Sequence, residues 1–294
     1  MGVRYKKKRS KLPLILAALV LLVLLAVAAL WFSQQWKPST ETVVVAETET
    51  TNEDSGADEE ISYDGPPRNL EELIERYAAT QGGPEKISQI KSLRLRGEII
   101  QGDQPIEFQQ IKRRPNMSRV SLETPLFELI TTTNGDQVWR QYAGRPEIFE
   151  VTGVDRERVL SDSRIVSPLW TERDNPGALT MLSDEMDDGV LYHRIKVALP
   201  NRPEAIYWLD PETYLEHQIT STNSDDKEVV TRFGDYRKLG WLTIPYNIHF
   251  IIDGDPTMEI QLEKAEMNIG VFESFFDPPE MTGGEWPPKS PAGS

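Results

Sequence analysis

Between Leu191 and Asn268, apolar and polar residues alternate with a period of two, as they do in strands with one greasy and one wet face. Ile195, Val197 and Leu199 share one side of their strand. So do Ile206 and Trp208, Leu215 and Ile219, Ile248, Phe250 and Ile252, and Met258, Ile260 and Leu262. Arg194, Lys196, Glu216, Gln218, Asn247, His249, Glu259, Gln261 and Glu263 occupy the alternate positions. Asp210-Pro211-Glu212-Thr213 separates two aromatic and β-branched runs, and its proline presets φ for a tight turn, which predicts a hairpin. Turn signals at Asn223-Ser224-Asp225, Leu239-Gly240 and Asp253-Gly254-Asp255 then separate strands predicted over 228–237, 242–252 and 257–267.

Upstream the period changes. Leu70, Leu73, Ile74, Tyr77 and Ala78 recur at helical spacing, with Asn69 as the cap and Glu72 placed as in a capping box, which predicts a helix over 69–81. Gly82-Gly83 stops it, and Pro84 opens a second short turn through Ile90. From Lys91 the period is two again, with Leu93, Leu95 and Ile99, then Ile106 and Phe108, on one face. Strands are predicted at 118–122, 126–132 and 137–142, and again at 179–183 and 190–199. Asp155 to Trp170 loses the alternation and reads as short helices starting at Asp155 and at Ser167-Pro168. The pattern defines a mainly β, antiparallel α+β domain over 69–276, followed by a Pro- and Gly-rich tail over 277–294.

The N-terminus is different in kind. Residues 1–11 are basic, and 12–32 form an uncharged apolar run that would span roughly 30 Å as a helix. Trp31 and Trp36 fall where an interfacial aromatic belt would lie. The positive-inside bias predicts a single-pass anchor in the inner membrane, N-terminus in the cytoplasm and domain in the periplasm. A cleavable signal with Ala26-Val27-Ala28 as its site is the competing reading, but the run continues apolar through Phe32. Residues 33–68 read as an extended linker, with nine acids and no base between Pro38 and Pro67.

Composition removes several classes of function. Against 47 acids stand 32 bases, and the basic cluster before the apolar run accounts for six of these, so the exported part repels nucleic acid and anionic surfaces. With no cysteine, the chain has no disulfide, thiolate metal site or cysteine nucleophile. It carries no phosphate loop, nucleophile elbow or zinc-binding helix motif. By parity His193 and His217 both point to the apolar face, but no carboxylate shares that face at ligand spacing, so neither metal nor cofactor is expected.

Tyr77-Ala78-Ala79-Thr80-Gln81-Gly82-Gly83, and then Ile90-Lys91-Ser92-Leu93-Arg94 running into Gly97, resemble the opening of outer-membrane lipoprotein-sorting proteins of the LolA/LolB-like superfamily. Tyr192-His193-Arg194-Ile195-Lys196-Val197, Leu209 to Leu215, and Asp235-Tyr236-Arg237 with Gly240 and Ile244-Pro245 resemble that family's second half. The resemblance implies a curved, open antiparallel barrel, here of about 11–12 strands by the pattern above, with helices lidding the concave face. It also implies a non-catalytic task, sheltering acyl chains of lipids or lipoproteins in an apolar hollow.

The residues expected to line that hollow are Leu95, Phe108, Leu122, Leu129, Trp139, Ile195, Val197, Ile206, Trp208, Leu215, Ile219, Ile248, Phe250, Met258 and Ile260. An anchored chain would capture or hand over its ligand locally rather than shuttle it. The alternative is an envelope sensor or scaffold domain whose sheet binds a partner protein.

Overall fold

The computed structural model describes residues 65–285, except 103, 201, 224 and 283. The basic segment, the apolar run over 12–32, most of the acidic linker and the end of the tail lie outside the described residues. Among those described, no helix is long and apolar enough to cross a membrane.

Helices α1 (Leu70–Thr80) and α2 (Gly83–Gln89) lead into a first meander. It comprises β1 (Ser92–Gln101), β2 (Gln104–Arg113), β3 (Met117–Glu123), β4 (Glu128–Thr133), β5 (Val138–Tyr142) and β6 (Ile148–Glu150). Helices α3 (Gly153–Asp162) and α4 (Pro168–Thr171) connect to a second meander: β7 (Leu179–Asp187), β8 (Val190–Val197), β9 (Ala205–Leu209), β10 (Glu216–Thr222), β11 (Glu228–Leu239), β12 (Leu242–Ile252) and β13 (Asp255–Met267). A last short strand, β14 (Gly284–Glu285), lies parallel to β6. Pairing of β1 with β13 joins the meanders into one curved, open sheet of order β14-β6-β5-β4-β3-β2-β1-β13-β12-β11-β10-β9-β8-β7.

The expected mainly β, antiparallel architecture is present. The strands beyond the expected count are β6 and β14, three and two residues long, too short to show an alternation.

Local chemistry fixes the helices on the sheet. The Asn69 side chain accepts the Glu72 N–H at 2.9 Å, as a cap should. Glu72 does not reach back to complete a capping box. Its carboxylate takes the backbone N–H and Nε of Arg68 and pairs with Arg76, whose neighbouring guanidinium holds the acid down at about 2. Buried Arg76 also donates to Tyr214 Oη at 2.6 Å, and Tyr214 sits at φ 56° in the turn between β9 and β10. In that turn Asp210 Oδ1 accepts from the N–H groups of Glu212 and Thr213. The tight turn read from the sequence is therefore also the anchor of α1.

Register divides the sheet into an inner and an outer face. Leu73, Ile74 and Tyr77 of α1 and Leu169 of α4 pack on Ile195, Val197, Tyr207 and Leu209, which fills the inner face of β7 to β10. Ile90, Leu93 and Leu242 close a second cluster at the start of β1. The third cluster, Ile99, Ile106, Leu122 and Leu129 with Phe108, Val120, Met258 and Ile260 against it, includes no helical residue. The outer face of the first meander is covered by the chain after β13. There Arg113 Nε donates to Val271 O at 3.1 Å, the Arg119 guanidinium lies over the Phe275 ring, and Thr282 Oγ1 accepts the Ile148 N–H.

Candidate functional site: a hollow and trough on the inner face

The inner face offers two connected regions. Beneath the helices lies a cavity of about 340 Å³, partly open to solvent. Ile87, Ile90, Leu93, Leu242 and Ile244 form one apolar wall, and Val197, Leu199, Ala205 and Ile219 another. The parity that points Leu93 and Ile244 into this cavity continues along their strands to Leu95, Ile99, Ile248 and Phe250. Cross-strand pairing of Ile248 with Ile260, Phe250 with Met258, and Ile260 with Ile99 extends this row into the helix-free third cluster. The result is an apolar trough about 20 Å long from Leu93 to Ile99, at the usual rise of a strand.

The cavity also has a polar side that the sequence reading missed. Lys112 is in phase with Ile106 and Phe108 on β2, so strand parity alone would have placed it on the inner face. Its Nζ donates to Arg164 O at 3.0 Å, and burial pushes its pKa down, opposed by Asp162. Asp162, at the end of α3, lines the hollow and is exposed. Partial desolvation by the surrounding chain raises its pKa against the fields of Lys112, Arg158 and Arg202. Arg202 Nη1 donates to Ser161 Oγ.

Glu216 lines the hollow together with Tyr77 and Tyr236. Burial raises its acid pKa, and hydrogen bonds from Ser167 Oγ (2.8 Å) and Tyr77 Oη (3.3 Å) oppose the rise. A bulge between Glu216 and Gln218 in the β9–β10 pairing turns Glu216 inward, which strict alternation had placed on the wet face.

The fifteen expected residues divide accordingly. Val197 and Ile219 line the hollow. Leu95, Phe108, Leu122, Leu129, Ile248, Phe250, Met258 and Ile260 share the trough face. Ile195 is on the inner face but has no exposed surface, so it is packing under α1. Leu215 is half-buried in the turn before β10.

Three expectations are corrected. Ile206 and Trp208 point to the outer face, because Ile195 pairs with Tyr207 and it is Tyr207 and Leu209 that enter the core. Trp208 is buried there under Tyr192 and the Arg194 guanidinium, with its Nε1 donating to Thr220 Oγ1. Trp139 pairs with Thr132 and is also on the outer face. His193 and His217 do not share a face. His193 stacks on Tyr214 and meets Asp184 at 3.1 Å, whereas His217 stacks on Tyr192 and faces Asp187. Among the described residues no three His, Asp or Glu side chains gather as metal ligands.

The fold is shared with the structure described as an outer membrane lipoprotein-sorting protein domain from Vibrio parahaemolyticus. That match has TM-score 0.51 and 10% identity, over 71% of this chain and 96% of that one. It is shared equally with a DUF1329 family protein from Desulfovibrio piger, at TM-score 0.53 and 8% identity, over 72% and 98% of the two chains. A LolA superfamily protein from Nitrosomonas europaea aligns at TM-score 0.48 and 9% identity, over 71% and 98%. No protein-family model and no curated protein matches the sequence. At these identities the likeness is one of fold: the curved, open sheet is shared with the Vibrio parahaemolyticus and Desulfovibrio piger proteins.

Proposed function

We propose that the domain binds acyl chains of lipids or lipoproteins on its inner face, without catalysis, in lipoprotein sorting or handover. The observation that carries this reading is the trough itself. Phe108, Met258 and Ile260 are half-buried apolar side chains in one row, in a cluster with no helical member among the described residues, beside an open hollow. Water over such a row is displaced favourably by hydrocarbon, at about 0.8 kcal/mol per methylene buried. Shape and apolar area therefore suffice to hold a chain, and exchange needs only access along the open sheet. The shared fold with a lipoprotein-sorting domain supports the reading.

The test is displacement of a fluorescent palmitoyl probe from the full chain by a lipidated peptide. Saturable displacement is expected, weakened about tenfold in Ile260→Asp, where a charge must be desolvated by the bound chain. A flat titration in the wild-type chain would overturn the reading.

The tether belongs to the same proposal and rests on the basic segment and the apolar run ahead of the linker. Because the chain has no cysteine, Thr180→Cys on exposed β7 gives a single reporter. In intact spheroplasts of a bacterial host it should react with a membrane-impermeant maleimide. Labelling only after lysis would place the domain in the cytoplasm and refute the orientation.

A further inference from the structure

We infer that the hollow is built for a single acyl chain ending in an anionic group, with the anion met by Lys112 and Arg202 and the chain lying along the trough. This rests on the acyl-binding reading and specifies its ligand.

Charge is the first argument. The chain is strongly acidic, at −15 overall, yet the cavity lining carries three cations, Lys112, Arg164 and Arg202, against two carboxylates, Asp162 and Glu216. Arg164 is already paired with Glu172 at 2.8 Å. Among the described residues, neither Lys112 nor Arg202 has such a carboxylate within ion-pair distance. The ammonium has three N–H donors and gives one to Arg164 O, and the guanidinium has five and gives one to Ser161 Oγ. Lys112 and Arg202 both bond to the short segment 161–164 that lines the hollow, with Asp162 between their two contacts. Glu216 belongs to a different part of the lining, hydrogen-bonded by Tyr77 and Ser167, and its burial favours the uncharged acid. A half-buried ammonium with spare donors, facing a hollow, is a ready partner for an anion.

Shape is the second argument. About 340 Å³ is near the lower end of the range for ligand pockets, enough for the anionic end of an amphiphile and the first part of one slender chain. Leu93 and Ile244 stand at the cavity wall and open the apolar row that leads out along β1 and β12. An amphiphile with its anion inside would leave its tail on that row.

Oleate, oleoyl lysophosphatidic acid and methyl oleate distinguish the cases by competition for the full chain against an uncharged fluorescent acyl ester. At least one of the two anions should compete about tenfold better than the methyl ester, the equivalent of a charge-assisted hydrogen bond, and the stronger identifies carboxylate or phosphate as the recognised end. Lys112→Met and Arg202→Met should each remove the anions' advantage, bringing the ratio of anion to methyl oleate competition to about one. Two separate variants keep the test valid if one fails to fold, with circular dichroism as the control. Equal competition by all three ligands would overturn the anion seat and leave acyl binding standing. Failure of even the uncharged probe to bind would overturn both.

Discussion

Phe276→Ala is expected to destabilise the domain by about 4 kcal/mol, the range for deleting a buried phenylalanine, and to lower the thermal midpoint by roughly 8–16 °C. Phe276 has no exposed surface, and it sits in a short 3-10 turn, Glu273–Phe276, on the outer face of the first meander. Its ring stands at 90° to that of Phe275 with centroids 5.2 Å apart, and Phe275 lies under the Arg119 guanidinium. Arg113 fixes the same segment through Val271 O and a 3.0 Å contact with Glu273. Beyond the turn the chain continues to Thr282, whose hydroxyl accepts the Ile148 N–H and donates to Pro146 O, and then to β14 beside β6.

Removing Phe276 should therefore release β14 and increase hydrogen exchange at Ile148. Denaturant titration and exchange on the same sample check both. Phe275→Ala, at a ring that is 43% exposed, should cost under about 1.5 kcal/mol, because it loses mainly an exposed cation–π contact. Equal losses in the two variants would mean that the turn is not seated by Phe276.

That segment also marks where the sequence stopped being legible. Alternation is readable when one face is apolar and the other polar; β1, β12 and β13 as far as Leu262 follow it, so their inner faces are accessible from the sequence. Ile206-Tyr207-Trp208-Leu209 is apolar on both faces, so alternation cannot orient β9. The orientation is set by pairing with β8, a long-range fact. Trp139 was misplaced for the same reason: Val138 and Trp139 are both apolar, and the outer face is also covered, by residues far along the chain. Bulges are events of the backbone with no fixed residue signature, which is why Glu216 was read as facing water. Lys112 shares the parity of Ile106 and Phe108, but a lysine adds nothing to an apolar alternation and so is not marked by it as lining.

The largest loss tied to the site itself is expected at Gly97. A Cβ there would lie 2.0 Å from Gln261 O and 2.8 Å from Leu262 Cα. Both are backbone atoms, so no side-chain rotation relieves the clash, and β1 and β13 must separate where they join the two meanders. Gly97→Ala should cost roughly 3 kcal/mol or more, at the upper end for overpacking, visible as a lowered denaturant midpoint. Gly234 in β11 is the control, since a Cβ there meets nothing within 4 Å and alanine should be tolerated.

The pairing register shifts between Arg96 and Gly97, where Glu263 is the extra residue on β13, so the close approach coincides with a bulge that bends the β1–β13 pair beside Leu95 and Ile99. Both residues stand on the trough. A variant that still folds should then bind the palmitoyl probe more weakly even at temperatures where it is fully native. Unchanged binding by native Gly97→Ala would separate the bend from the ligand site, and the trough would then be set by its side chains alone.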